Sequence, residues 1–103
     1  MTAYVVSFID VTDPVKYQEY AAIVPAIIAA HGGTYVARNG AKHALEGELP
    51  NKRVVITAFP SVARAQQWHA SAEYQRAKAI REAASTGTIF IIEGAEAPVV
   101  DLK

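Results

Sequence analysis

Three histidines, a pair of closely spaced tyrosines, one arginine and one glutamate are the side chains of this sequence whose types and positions bear on chemistry. His31, His43 and His69 invite a metal or acid–base role. Their spacings match no helical metal pair such as i, i+4, and no acidic residue sits at a recognisable ligand offset, so no metal site is expected. His31 falls at a helix end, where an imidazolium interacts favourably with the helix dipole, and His43 reads as a surface residue. His69 follows Trp68 at the end of a helix, so either ring can face a pocket, with local packing the more economical role.

Tyr17 and Tyr20 sit three residues apart on one helical stripe. Core packing accounts for both, with each hydroxyl reaching water or a backbone group. The alternative, compatible with the first, is that one hydroxyl lines a cavity between helix and sheet and orients a small polar ligand. Arg38, near the end of a strand and flanked by small residues, has the geometry to clamp a carboxylate bidentately. It can equally serve as a structural partner for Glu46, Glu93 or an acid of another subunit. The pairing with Glu93, in the folded dimer, is preferred, because Glu93 lies in an apolar strand and needs a cation if buried. The candidate ligand-binding residues are therefore Tyr17, Tyr20, Arg38, His69 and Glu93. His31-Gly-Gly33 closes a helix where a phosphate loop would open one. A Ser7–His69–Asp10 triad can be written down, but no nucleophile-elbow motif accompanies it.

These side chains need elements to position them. Ala3–Ile9 is rich in β-branched and aromatic residues and predicts a strand. Asp13 before Pro14 is a helix-start signal, and Tyr17, Tyr20, Val24, Ile27, Ile28 and His31 then recur at spacings of three and four. Pro25 removes one backbone donor within that helix and is expected to kink or split it. Gly32-Gly33 ends it. Thr34–Arg38 reads as a second strand closed by Asn39-Gly40, Lys42–Glu48 as a strand extension or short hairpin, and Lys52–Phe59 as the clearest strand of the chain. Ser61 and Ser71 are expected to cap helices over Val62–His69 and Ala72–Ser85, the second sharing a face of Tyr74, Ala77, Ile80 and Ala84 and ending at Gly87. Thr88–Ile92 is the last strand. The order is βαββαβ: an α+β, ferredoxin-like fold with a four-stranded antiparallel sheet and helices on one face. Residues 1–95 form this one domain, and residues 96–103 read as a C-terminal tail or an added edge strand.

Composition narrows the partners. The 103 residues are 51% hydrophobic and 19% charged, with ten Lys and Arg against ten Asp and Glu. That balance supports a packed core and lacks the basic excess of a nucleic-acid binder or the basic face of a membrane-surface binder. Cysteine is absent, which excludes disulfides, thiolate metal sites and a Cys nucleophile. The chain enters a strand pattern at once without a signal-like segment, and no apolar run approaches the roughly 20 residues of a membrane helix, so a cytoplasmic protein is expected.

A sheet covered on one face should alternate apolar and polar residues. Here Tyr4, Val6 and Phe8 oppose Val5, Ser7 and Ile9, while Val54, Ile56 and Ala58 oppose Val55, Thr57 and Phe59. Ile89 and Ile91 oppose Phe90 and Ile92. Both faces are apolar on three strands, and the helices cover only one. A second copy packed sheet to sheet about a two-fold axis covers the other, so the expected partner is the protein itself, as a homodimer.

Asp10-Val-Thr-Asp-Pro14 with Tyr17 and Tyr20, His31-Gly-Gly33 with Arg38, and Leu45-Glu-Gly47 resemble one bacterial family. So do Val54-Val-Ile56, Phe59-Pro-Ser61, Trp68, Ser71–Gln75, Arg81 and Glu93-Gly94. The whole is similar to the family catalogued as domain of unknown function 1330, of the dimeric α+β barrel superfamily. The resemblance implies a ferredoxin-like protomer and a sheet-to-sheet dimer. It implies no activity, since the superfamily spans cofactor-independent monooxygenases, lactone isomerases, haem-dependent enzymes and proteins without known chemistry. Ala72 stands where proline is common, His69 where tyrosine is frequent, and Thr34 where a basic residue often follows the glycines.

Two functional readings follow. In the first, each protomer of the homodimer holds a modest pocket that binds or converts a small organic molecule without a cofactor, with Tyr20, Arg38 and His69 as polar groups. In the second, the protein is a non-enzymatic binding or accessory dimer. A haem-linked role, with His31, His43 or His69 as axial ligand, is weaker because nothing singles one of them out.

Overall fold

The computed structural model describes residues 1–95, so the expected tail or edge strand at 96–103 lies outside the described residues. The elements are β1 (Ala3–Val11), α1 (Pro14–Ala30), β2 (Thr34–Arg38), β3 (Arg53–Phe59), α2 (Val62–Ala70), α3 (Ala72–Ala84) and β4 (Ser85–Glu93). All strand pairs are antiparallel and their order is β2-β3-β1-β4, the arrangement of a ferredoxin-like fold.

Local chemistry sets the boundaries. The Asp13 carboxylate accepts from the Lys16 N–H at 3.1 Å, and Pro14 occupies the first turn, where a missing donor costs nothing. His31 caps the far end of α1 and Gly32 follows at φ +79°. Of the two effects expected of Pro25, a split does not occur: α1 runs unbroken from Pro14 to Ala30. Lys42–Glu48 forms neither a strand nor a hairpin. It belongs to a loop that follows Asn39, itself at φ 53°, and runs to the start of β3 at Arg53.

Ser71 closes α2 and opens α3. Its hydroxyl donates to the Trp68 carbonyl at 2.8 Å and accepts from the Tyr74 N–H at 3.2 Å. Gly87 does not end α3. The helix stops at Ala84, β4 starts at Ser85, and Gly87 lies inside the strand opposite Ile9. A Cβ there would come within 2.2 Å of the Phe8 carbonyl oxygen, so the glycine permits close strand contact.

The core lies between the helices and one sheet face. Val5, Ile9 and Phe59 from the strands meet Tyr17, Tyr20, Val24 and Ile28 of α1, Trp68 of α2, and Tyr74, Ala77 and Ala84 of α3. Side-chain alternation sends Tyr4, Val6, Phe8, Val54, Ile56, Phe90 and Ile92 to the opposite face. Within the protomer that face has no helix over it, leaving Phe90 and Ile92 42% and 54% exposed, with Phe8 stacked on Phe90 at 6.3 Å.

Candidate functional site

Two cavities flank the core, and Trp68 borders both. The inner one, of about 30 Å³, lies between α1 and the sheet. Polar side chains line it where a core of this size would ordinarily be apolar: Ser7, Tyr17, Tyr20, Arg53, Thr57 and Arg81. Arg38 and Tyr35 border it from the β2 edge, where Arg38 is exposed. The outer cavity, of about 370 Å³, lies by α2 and β4 and is lined mostly by apolar groups such as Ile89, Phe90 and Ile91, with His69 and Gln66 as its polar groups. Volume favours the outer cavity. The chemistry sits in the inner one.

The inner cavity is assembled from every layer of the fold. Tyr17 and Tyr20 occupy successive turns of α1, with ring centroids 5.4 Å apart. The Tyr20 hydroxyl shares a 3.1 Å hydrogen bond with that of Tyr74 on α3. Burial, reinforced by Tyr74, raises the Tyr20 pKa far above the ordinary phenol value. Burial also raises Tyr17, with the neighbouring Arg53 opposing it, and Tyr35, with Arg38 opposing it. All three phenols are therefore neutral at physiological pH.

Arg53, first residue of β3, faces the helices with its guanidinium carbon 5.4 Å from the Tyr17 ring centroid. Arg81 projects inward from α3 and is only 8% exposed. The side-chain donors Arg53 Nε, Arg81 Nε and Trp68 Nε1 are all buried and have no hydrogen-bond partner among the described residues.

Of the residues singled out from the sequence, Tyr17, Tyr20 and Arg38 border the inner cavity together. Arg38 is partly committed: its Nη2 donates to the Ala21 carbonyl at 2.8 Å and its guanidinium lies 4.7 Å from the Tyr35 ring centroid. His69 lines the outer cavity instead, its pKa lowered by burial and then by Lys78 and Arg81. Glu93 is exposed at the end of β4 and borders neither cavity. The expected Arg38–Glu93 pair does not form within the protomer, because β2 and β4 are opposite edges of the sheet.

The Ser7–His69–Asp10 triad is not assembled either. Ser7 faces the inner cavity, His69 the outer one, and Asp10 pairs with Lys52. His31 places Nδ1 2.9 Å from the Ile27 carbonyl, and His43 lies in the loop after β2. No group of three or more His, Cys, Asp or Glu side chains positioned to hold a metal occurs among the described residues.

The residues missed are Arg53 and Arg81. Both left a signal. Arg53 shares the strand parity of Val55, Thr57 and Phe59, and Arg81 shares the helical face of Tyr74, Ala77 and Ala84. A cation on an apolar stripe is the sequence mark of a buried charge.

Fold and cavity together define a ferredoxin-like α+β protomer with a polar pocket inside its helix–sheet core. The chain belongs to the family described as Domain of unknown function (DUF1330), whose profile matches residues 2–95. No curated protein matches it by sequence.

Among solved structures it resembles RPA0582 of Rhodopseudomonas palustris, a protein of unknown function, at 16% identity and a TM-score of 0.74, covering 93% of this chain and 84% of that one. SnoaB of Streptomyces nogalater, a cofactor-independent oxygenase, is similar at 16% identity and a TM-score of 0.67, over 94% and 96% of the two chains. Rv0793 of Mycobacterium tuberculosis is similar at 13% identity and a TM-score of 0.63, over 96% of this chain and all of that one (100%). Identities this low establish a shared fold and nothing finer. No helix among the described residues is long and apolar enough to cross a membrane.

Proposed function

We propose that the protein binds a small organic molecule in the inner cavity of each protomer and acts as a sheet-to-sheet homodimer. The observation that carries the binding reading is the cluster of polar groups around the inner cavity, since a core evolved for packing alone has no use for Arg53, Arg81, Ser7 and Thr57 around a void. The tyrosine and tryptophan rings supply apolar walls, and the hydroxyl and guanidinium groups supply orientation.

Binding is better supported than conversion. SnoaB is described as a cofactor-independent oxygenase on a similar fold, so the architecture accommodates such chemistry. Here, however, no carboxylate or imidazole lines the inner cavity among the described residues, and its phenols are held neutral, so it lacks a side chain poised as a general base.

The dimer rests on the uncovered apolar face around Phe8, Phe90 and Ile92, which a second copy of the same face would bury. Native mass spectrometry of freshly purified protein tests both parts. A dimer mass carrying a small-molecule increment is the expected result. A bare protein that no small metabolite stabilises against heat overturns the binding reading.

A further inference from the structure

Arg53 on β3, Trp68 on α2 and Arg81 on α3 come from three separate elements and converge on one cavity. Each has a buried side-chain N–H with no hydrogen-bond partner among the described residues; Trp68 is 4% and Arg81 8% exposed, and Arg53 is half-buried with its Nε covered. These three groups share one chemical property: they donate hydrogen bonds and cannot accept them. The two arginines also bring permanent positive charge. Among the described residues the ion pairs are Lys52–Asp10 and Lys78–Glu82, so neither arginine meets a protein carboxylate. A buried guanidinium without a counter-charge is unfavourable, and a cluster of unpartnered donors is complementary to a group that only accepts.

We propose that the inner cavity is an oxyanion site for the carboxylate of a small organic acid, held by Arg53, Arg81 and Trp68. This rests on the small-molecule reading above and adds its ligand class. A volume of about 30 Å³ suits a head group rather than a whole ligand. The organic part therefore extends past Tyr17 toward the β2 edge, where Tyr35 is half-buried and Arg38 is exposed. Charge and donor geometry fix the head; the aromatic rings accept the rest.

The test compares matched acids and amides by thermal shift and calorimetry on the full chain: butanoate against butanamide, benzoate against benzamide, with inorganic phosphate as a further arm. The expected result is stabilisation by one or both acids and by neither amide. Arg81→Gln should weaken acid binding on the order of 30-fold or more, as removal of one member of a buried charged pair does. Arg53→Gln and Trp68→Phe, each checked for folding by circular dichroism, give the same reading if Arg81→Gln does not fold. If amides bind as well as acids and the arginine variants change nothing, the oxyanion site is refuted while the small-molecule pocket survives. If phosphate alone binds, the organic-acid assignment fails. If neither acids, amides nor phosphate bind and native mass spectrometry finds no retained molecule, both readings fail together.

Discussion

The carbonyl of Ala21 on α1 accepts a 2.8 Å hydrogen bond from Nη2 of Arg38 on β2. In an uninterrupted helix that carbonyl would receive the N–H of residue 25, but residue 25 is proline and has none. The arginine thus supplies a donor where the helix lacks one, and α1 continues through Pro25 to Ala30. The same contact ties the β2 edge to α1 beside the inner cavity, and it occupies one nitrogen of Arg38.

Arg38→Met should therefore cost about 1 kcal/mol in urea denaturation, the net worth of a partly exposed hydrogen bond. In a Pro25→Ala background, where the helix regains its own donor, the same substitution should cost measurably less. Equal losses in the two backgrounds would show that Arg38 and Pro25 are uncoupled.

Gly87→Ala should destabilise the fold by about 1–3 kcal/mol, because the added Cβ meets the Phe8 carbonyl oxygen at 2.2 Å and the backbone must shift. Gly40→Ala provides the contrast: nothing lies within 4 Å of the position a Cβ would take there, and its effect should stay within about 0.5 kcal/mol. Guanidinium chloride midpoints for the two variants give the comparison directly.

Much of this architecture was legible in the chain. Asp13-Pro14, Gly32 and Ser71 act through one or two residues, so their signals survive in a linear sequence, and the strand alternation announced both sheet faces. Pro25 does not split the helix because the missing donor is compensated by Arg38, thirteen residues further on and on another element. Gly87 misled because a glycine near a helix end resembles a cap, whereas its role comes from β1 passing beside it.

The site was half visible. Tyr17 and Tyr20 share a local helical stripe, whereas the convergence of Arg53, Trp68 and Arg81 depends on packing between β3, α2 and α3. Glu93 does not reach Arg38 within the protomer, because strand order is not written in sequence order.

Tyr20→Phe should lower stability by about 1 kcal/mol at pH 7, since it breaks the 3.1 Å hydroxyl pair and strands the Tyr74 hydroxyl in the core. The pH dependence has a definite sign. The folded-state pKa of Tyr20 is raised, so the folded protein keeps a proton that the unfolded chain loses above about pH 10. Stability falls as pH rises through that range, and removing the phenol should flatten the fall. Urea titrations of both proteins between pH 8 and pH 11 should show their stabilities converging. A constant difference would mean that Tyr20 ionises as easily inside as outside.

Phe90→Lys places a charge on the uncovered apolar face, on the edge strand β4, beside Phe8 and opposite Val6, while the buried helix-side core is untouched. In an isolated protomer Phe90 is already 42% exposed, so the substitution should leave the fold intact and alter its stability only slightly. In a sheet-to-sheet dimer the same lysine would be buried against an apolar surface, which opposes association strongly. Sedimentation at micromolar concentration should therefore show a dimer for the unaltered chain and a folded monomer for the variant. Identical masses for the two, whether monomer or dimer, would mean that this face is not the interface.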